Sequence, residues 1–205
     1  MAERLNSNDR TVLALVAERP THGWAIAAKL ARGAEIGSIW AISRPIVYHA
    51  LDRLEQAGLI RATGIERGGR GPHRVVYAVT REGKRERERW LLTPVEHVRD
   101  IRTIFLLKVV LCERAGIDPE PLLVSQRAVL VPFVSWLESQ VDEPEPERPG
   151  EAAVAAFRLE TATAVLRFVD GTLDSLGAAH MQARHSRSGR YRGRATRELA
   201  YALHP

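Results

Sequence analysis

Cysteine is almost absent: one residue, Cys112, in a chain of 205. An intramolecular disulfide framework is therefore excluded, along with the small secreted folds that depend on one. Cys112 ends the apolar run 104–112, so a buried thiol packed as a small hydrophobe is expected. Long hydrophobic runs are missing too. The apolar stretches near Ile104 and Val129 are too short to span a bilayer, and Lys108 interrupts the first. Residues 1–8 are polar and lack the apolar core of a signal peptide, so a cytoplasmic protein without membrane contact is expected.

Catalytic signatures are also lacking. No serine sits in a GxSxG context, and no GKS or GKT follows the glycine-rich stretch 68–71. His180 and His185 are five apart, off a common helical face, which argues against a metal pair. His97 lies among charged neighbours as a solvated helix residue, and His22, after Pro20-Thr21, suits a structural or capping role. Neither catalysis, cofactor nor metal is expected.

What the chain does have is an uneven charge. The total is +5, with 45% hydrophobic and 27% charged residues. Through Trp90 basic residues exceed acidic ones by roughly six, and over 91–183 the sign reverses by roughly six. Residues 184–197 are basic again. A cationic N-terminal unit on an acidic body suits a head that binds a polyanion and a body that assembles.

The periodicity divides in the same way. Ser7 or Asn8 can cap a helix running to Glu18, which Pro20 ends. A second helix is expected over 21–32, with Ile26 and Leu30 one turn apart. Ser43 caps a third, with Pro45 in its first turn, where proline is tolerated, and Gly58 beyond its end. Val47, Leu51 and Leu54 share its inward face. Residues 59–67 and 74–80 favour strands and flank the turn 68–72. Three helices and a hairpin with a Gly/Arg tip describe a winged helix-turn-helix. Thr80 caps a fourth helix ending near Trp90, and further helices are expected over 95–114 and from Asp118-Pro119 to Gln140, where Pro132 should kink or divide the latter. Residues 142–150 form an acidic, proline-rich linker before a long helix over 151–185. The expected organisation is a head over 1–90, a helical dimerisation and effector region over 91–185, and a basic, disordered tail over 186–205. The fold class is mainly α with a small β-hairpin.

Candidate sites follow from this layout. On the third helix, inward Val47, Leu51 and Leu54 turn Pro45, His49, Asp52 and Gln56 outward, with Arg53 beside them. His49, Arg53 and Gln56 can hydrogen-bond base edges in a major groove. Tyr48 on the flank can reach a phosphate, and Ser43 and Arg44 occupy the positive helix N-terminus. Asp52 would repel phosphate unless it accepts from a cytosine amino group. Arg67, Arg70, His73 and Arg74 stand among glycines that permit close approach to a duplex, or else form a basic hairpin tip without a partner. Val154, Phe157, Thr161, Val165, Phe168, Thr172 and Leu176 recur at spacings of three and four, forming an intrachain core or a surface for a second copy. Trp90 and Trp136 are aromatic faces at a helix junction and beyond a kink. They are either core or the walls of a pocket for a small aromatic effector.

The phrases Thr21-His22-Gly23-Trp24, Val47-Tyr48-His49-Ala50-Leu51-Asp52-Arg53-Leu54-Glu55-Gln56-Ala57-Gly58-Leu59-Ile60 and Val76-Tyr77-Ala78-Val79-Thr80-Arg81-Glu82-Gly83 together resemble the PadR family of transcription regulators over about ninety residues. Two positions depart from its pattern. Trp24 stands where a tyrosine or phenylalanine is usual, and Pro45-Ile46 replaces small or hydroxyl residues. The resemblance implies a homodimer, usually a repressor, joined through C-terminal helices and released from double-stranded DNA by a small molecule or another signal. The competing readings are a winged helix that binds RNA or protein without an operator, and a small-molecule-binding protein that only retains the fold.

Overall fold

In the computed structural model, residues 5–66, 73–141 and 149–201 are described. The chain forms two compact units, dividing between Val129 and Leu130. The division falls well beyond Trp90, where the expected head ends.

In the first unit, α1 (Ser7–Glu18) is capped by Asn6, one residue before the expected caps. The Asn6 and Asp9 side chains each accept from the other's backbone N–H, at 3.1 and 3.0 Å. β1 (Thr21–His22) takes two residues expected in a helix. His22 then caps α2 (Gly23–Lys29), its Nδ1 accepting from the Ala25 N–H at 3.1 Å, the capping role expected of it. α3 (Arg44–Gln56) starts after Ser43 and is followed by Gly58 in the left-handed region, φ 70°. β2 (Ile60–Glu66) and β3 (Arg74–Val79) complete a sheet of order β1-β3-β2, antiparallel throughout, with a bulge between Ala62 and Gly64. Val12, Leu13, Ile26, Leu30, Val47, Leu51 and Leu54 are buried where α1, α2 and α3 meet.

Thr80 joins the sheet to α4 (Arg81–Leu92). Its Oγ1 accepts from the Gly83 N–H at 3.0 Å and lies 2.8 and 3.0 Å from the Gly58 and Leu59 carbonyls, to which it can donate. The helix expected over 95–114 is shorter. After Thr93 comes a non-helical stretch, then a 3-10 turn (Val98–Asp100), a π-type turn (Ile101–Phe105) and α5 (Leu106–Ala115). The cause is tertiary. Buried Gln126 donates to the Val95 carbonyl at 3.0 Å and accepts from the Val95 N–H at 2.8 Å, replacing the bonds a helix would supply. Arg114 of α5 reaches back to Glu18 at 2.6 and 2.8 Å and to Glu35 at 2.6 Å. Burial raises the Glu18 pKa, but the hydrogen bonds from Arg114 and Lys29 outweigh it and hold the carboxyl below its ordinary value.

α6 (Glu120–Val141) contains Pro132 without being divided by it, and the boundary between the units falls within this helix. In the second unit Leu130, Val134 and Leu137 are buried on α6, and Ala162 and Val169 on α7 (Pro149–Tyr201). α7 begins inside the expected linker and runs past the expected end at His185, to Tyr201. Residues 195–201, ATRELAY, are mostly good helix formers, which favours this continuation.

A Cβ at Gly83 would lie 2.0 Å from the Leu59 carbonyl oxygen, so α4 rests against backbone that has no side chain to move aside. Gly83→Ala is expected to lower unfolding free energy by about 3 kcal/mol. A urea melt with an unchanged midpoint would show that the junction can open without cost.

Candidate nucleic-acid interface

The face of α3 opposite its buried residues is exposed: Arg44, Pro45, Ile46, Tyr48, His49, Asp52, Glu55 and Gln56. This is the outward set expected from the helical wheel, with Ile46 and Glu55 in addition. Ser43 precedes the helix and makes no side-chain capping hydrogen bond. Tyr48 is 45% exposed and lies over Gly23, where a Cβ would meet its ring at 2.8 Å. Glycine at this position lets α2 and the flank of α3 approach closely. Asp52 and Glu55 lie toward β3. Burial raises the Tyr77 pKa, and these two carboxylates add to the shift.

Arg53 departs from expectation. Instead of standing outward beside His49, it is half-buried against α1. Its Nε lies 3.1 and 3.2 Å from the two oxygens of buried Asp9, and its Nη2 lies 2.5 Å from Oδ1. A buried carboxylate needs a charged partner, and Arg53 supplies it. The wheel placed Arg53 on the flank of the helix, and the position of α1 beside that flank decided its role.

In the hairpin, Arg67 and Arg70 lie outside the described residues. His73 is exposed, and Arg74 lies over the face of Trp24, its Cζ 4.7 Å from the ring centroid. Sequence reasoning did not connect these two. The available signal was Trp24 itself, a large aromatic residue in an alanine-rich short helix.

The two residues expected to wall an effector pocket, Trp90 and Trp136, belong to different units. Trp90 is 8% exposed and lines a cavity of about 650 Å³ in the first unit together with Trp40, His97, Ile104 and Lys108. Trp136 does not line it. That residue lies in the second unit, half exposed and stacked on Phe133 at 5.9 Å. Buried Lys108 donates to the Thr93 carbonyl at 2.6 Å and stands 5.1 Å from the Trp90 ring. Burial, helped by the charge of Arg10, pushes its pKa down to about 8. Burial likewise raises the Cys112 thiol to about 11.

The expected dimerisation stripe is uneven. Val154, Phe157 and Phe168 are exposed, at 55%, 71% and 47%, whereas Thr161, Val165, Thr172 and Leu176 are half-buried. Among the described residues no group of His, Cys, Asp and Glu could hold a metal ion, and no helix is long and apolar enough to cross a membrane.

Residues 12–89 match the model of the transcriptional regulator PadR-like family. The match covers the N-terminal head, less than half of the chain. A probable transcriptional regulator of Mycobacterium tuberculosis is 30% identical over 88 residues, covering 43% of this chain and 45% of that protein. The chain thus matches less than half the length of this curated relative. Among solved structures, Bacillus subtilis PadR in complex with operator DNA is 20% identical, with a TM-score of 0.41, over 80% of this chain and 97% of that one. A PadR family transcription regulator from Clostridium difficile is 23% identical, with a TM-score of 0.35, over 51% and 95%. The Vibrio cholerae virulence activator AphA is 20% identical, with a TM-score of 0.36, over 84% and 99%.

Two predictions come from this geometry. Arg53→Ala leaves the Asp9 carboxylate buried without its cation and is expected to cost about 3 kcal/mol. His49→Ala, on the solvated face, should stay within about 0.5 kcal/mol. Equal thermal shifts for the two variants would remove Arg53 from the framework. The second prediction is a pH dependence. Lys108 has an ordinary value near 10.5 and titrates near 8 when folded, so above pH 8 the unfolded state holds more protons and stability rises with pH. Cys112 moves the other way: between about 9 and 11 the folded state keeps a proton that the unfolded state loses, and stability falls. A rise between pH 8 and 9, offset above pH 9, is expected in denaturant titrations. Lys108→Met should remove the rise and leave the fall.

Proposed function

We propose that this protein is a sequence-specific DNA-binding transcriptional regulator of the PadR family, a repressor acting as a homodimer on an inverted-repeat operator. The observation that carries the reading is the outward face of α3. His49 and Gln56 are exposed on one solvated face, and Ser43 and Arg44 stand at its positive end. His49 and Gln56 are assigned to base edges in the major groove, and Ser43, Arg44 and Tyr48 to phosphates. Arg67, Arg70, His73 and Arg74 are assigned to the duplex beside it, through phosphate or a narrow minor groove. The family match over residues 12–89 and the probable regulatory role of the mycobacterial relative support this assignment.

The dimer is assigned to the second unit. Phe157, Phe168 and Val154 present apolar surface on α7, and Trp136 and Phe133 do so on α6. The effector, a small aromatic molecule, is assigned to the cavity beside Trp90. It releases DNA only if it binds the DNA-incompetent spacing of the two heads more tightly than the competent one.

Selection of genomic fragments with the purified protein, followed by footprinting, tests the reading. The expected result is an inverted repeat with half-site centres about 34 Å apart, one helical turn. Affinity for that site should persist at salt concentrations that abolish binding to random duplex. Binding that is equal for both duplexes and lost together with rising salt would overturn the operator. A Phe157→Asp, Phe168→Asp variant should run as a monomer in light scattering and lose operator affinity, because the interface would bury two unpaired charges. A dimer that survives both changes lies elsewhere on the chain.

A further inference from the structure

The stem of the β2–β3 hairpin is held to α2 by four side chains. Thr21 and His22 pair with Tyr77 and Val76, which sets the start of α2 beside β3. At the turn end of the β2–β3 ladder, Glu66 lies across from Arg74. Left to themselves, these two opposite charges would pair across the strands. Instead Glu66 is engaged by His22. Because His22 Nδ1 accepts from the Ala25 N–H, its proton is on Nε2, which lies 3.4 Å from Glu66 Oε2. Arg74 is left to Trp24, which lies 6.3 Å from the His22 ring, centroid to centroid.

Trp24 is 45% exposed, more than a core role explains. Among the described residues, the Arg74 guanidinium has no hydrogen bond or ion pair, and the indole face is its specific contact. A guanidinium held by its face keeps its N–H edges in the plane, directed away from the ring and open to an acceptor. Stacking also removes rotamer freedom that an extended arginine would otherwise lose on binding.

We propose that Trp24 is a positioning residue for DNA binding: it holds Arg74 flat on its indole so that the guanidinium edge meets a backbone phosphate beside the groove entered by α3. This rests on the DNA-binding reading above. The acceptor is a phosphate because Arg74 stands on the hairpin stem rather than on α3, whose outward face carries the base-reading groups.

The test is a double-mutant cycle on the full chain. The probes are the duplex recovered by genomic selection and a random duplex of equal length, titrated by fluorescence anisotropy over a salt series. Arg74→Ala should weaken both duplexes by the same factor and reduce the slope of log K against log salt by about one. Trp24→Ala should weaken binding roughly three- to tenfold, and Trp24→Phe, which keeps an aromatic face, should retain most of the affinity. In the Arg74→Ala background, Trp24→Ala should add little. An equal loss from Trp24→Ala with and without Arg74 overturns the proposal. A readout without DNA separates the two levels of the argument. The Arg74 Nε–H resonance should be ring-current shifted in the native protein, lose that shift in Trp24→Ala and keep part of it in Trp24→Phe. An unshifted resonance in the native protein overturns the stack itself. If the resonance is shifted but no duplex is bound, the DNA-binding reading fails and the phosphate role of Arg74 fails with it.

Discussion

The buried carboxylate of Asp9 determines how α3 sits on the head. It lies in the first turn of α1, where it completes the cap with Asn6, and it is out of contact with solvent. A carboxylate in that position must be paired, and the partner within reach is Arg53, near the C-terminal end of α3. The pair therefore joins the start of one helix to the last turns of another. With Arg53 drawn to α1 and Val47, Leu51 and Leu54 in the core, the rotation of α3 about its axis is set, and His49 and Gln56 face outward. Such a pair is weak evidence for net stability, because desolvation offsets much of the attraction; its effect here is on orientation.

Polar groups play a comparable part between α4 and α5. Gln126 satisfies both backbone groups of Val95, and Lys108 caps the Thr93 carbonyl. These bonds hold residues 93–97 in a non-helical path, and that path forms one wall of the cavity beside Trp90. The positive charge of Lys108 is retained at a cost, which appears as its lowered pKa. Cavity, loop and perturbed lysine thus have one origin.

The head was legible in the sequence because its signals are local. The spacing of Val47, Leu51 and Leu54, the cap at Thr80 and Gly58 after α3 each depend on residues within a turn or two. The outward face of α3 followed from the same periodicity. The helix expected over 95–114 was misread because its apolar pattern continues through a segment whose backbone bonds are taken by Gln126, more than thirty residues away. The end of α7 lies beyond the expected one for a different reason: the apolar stripe that marked the helix stops at Leu176, although arginine, frequent in 186–194, is a good helix former.

The sequence by itself determined the element types of the head, the buried and exposed faces of α3 and the family resemblance of residues 12–89, since each depends on short-range periodicity or an ordered motif. Only the tertiary structure decided which charged residues are committed. Arg53 and Arg74 each stand between a polar and an apolar residue, Asp52 and Leu54 in one case and His73 and Val75 in the other, and these neighbours do not say what either binds. One is bound by a carboxylate on α1 and the other lies on an indole on α2, because chain segments distant in sequence bring those partners to them. The same holds for Trp90 and Trp136: their place in a cavity or at a surface depends on which helix packs beside each of them.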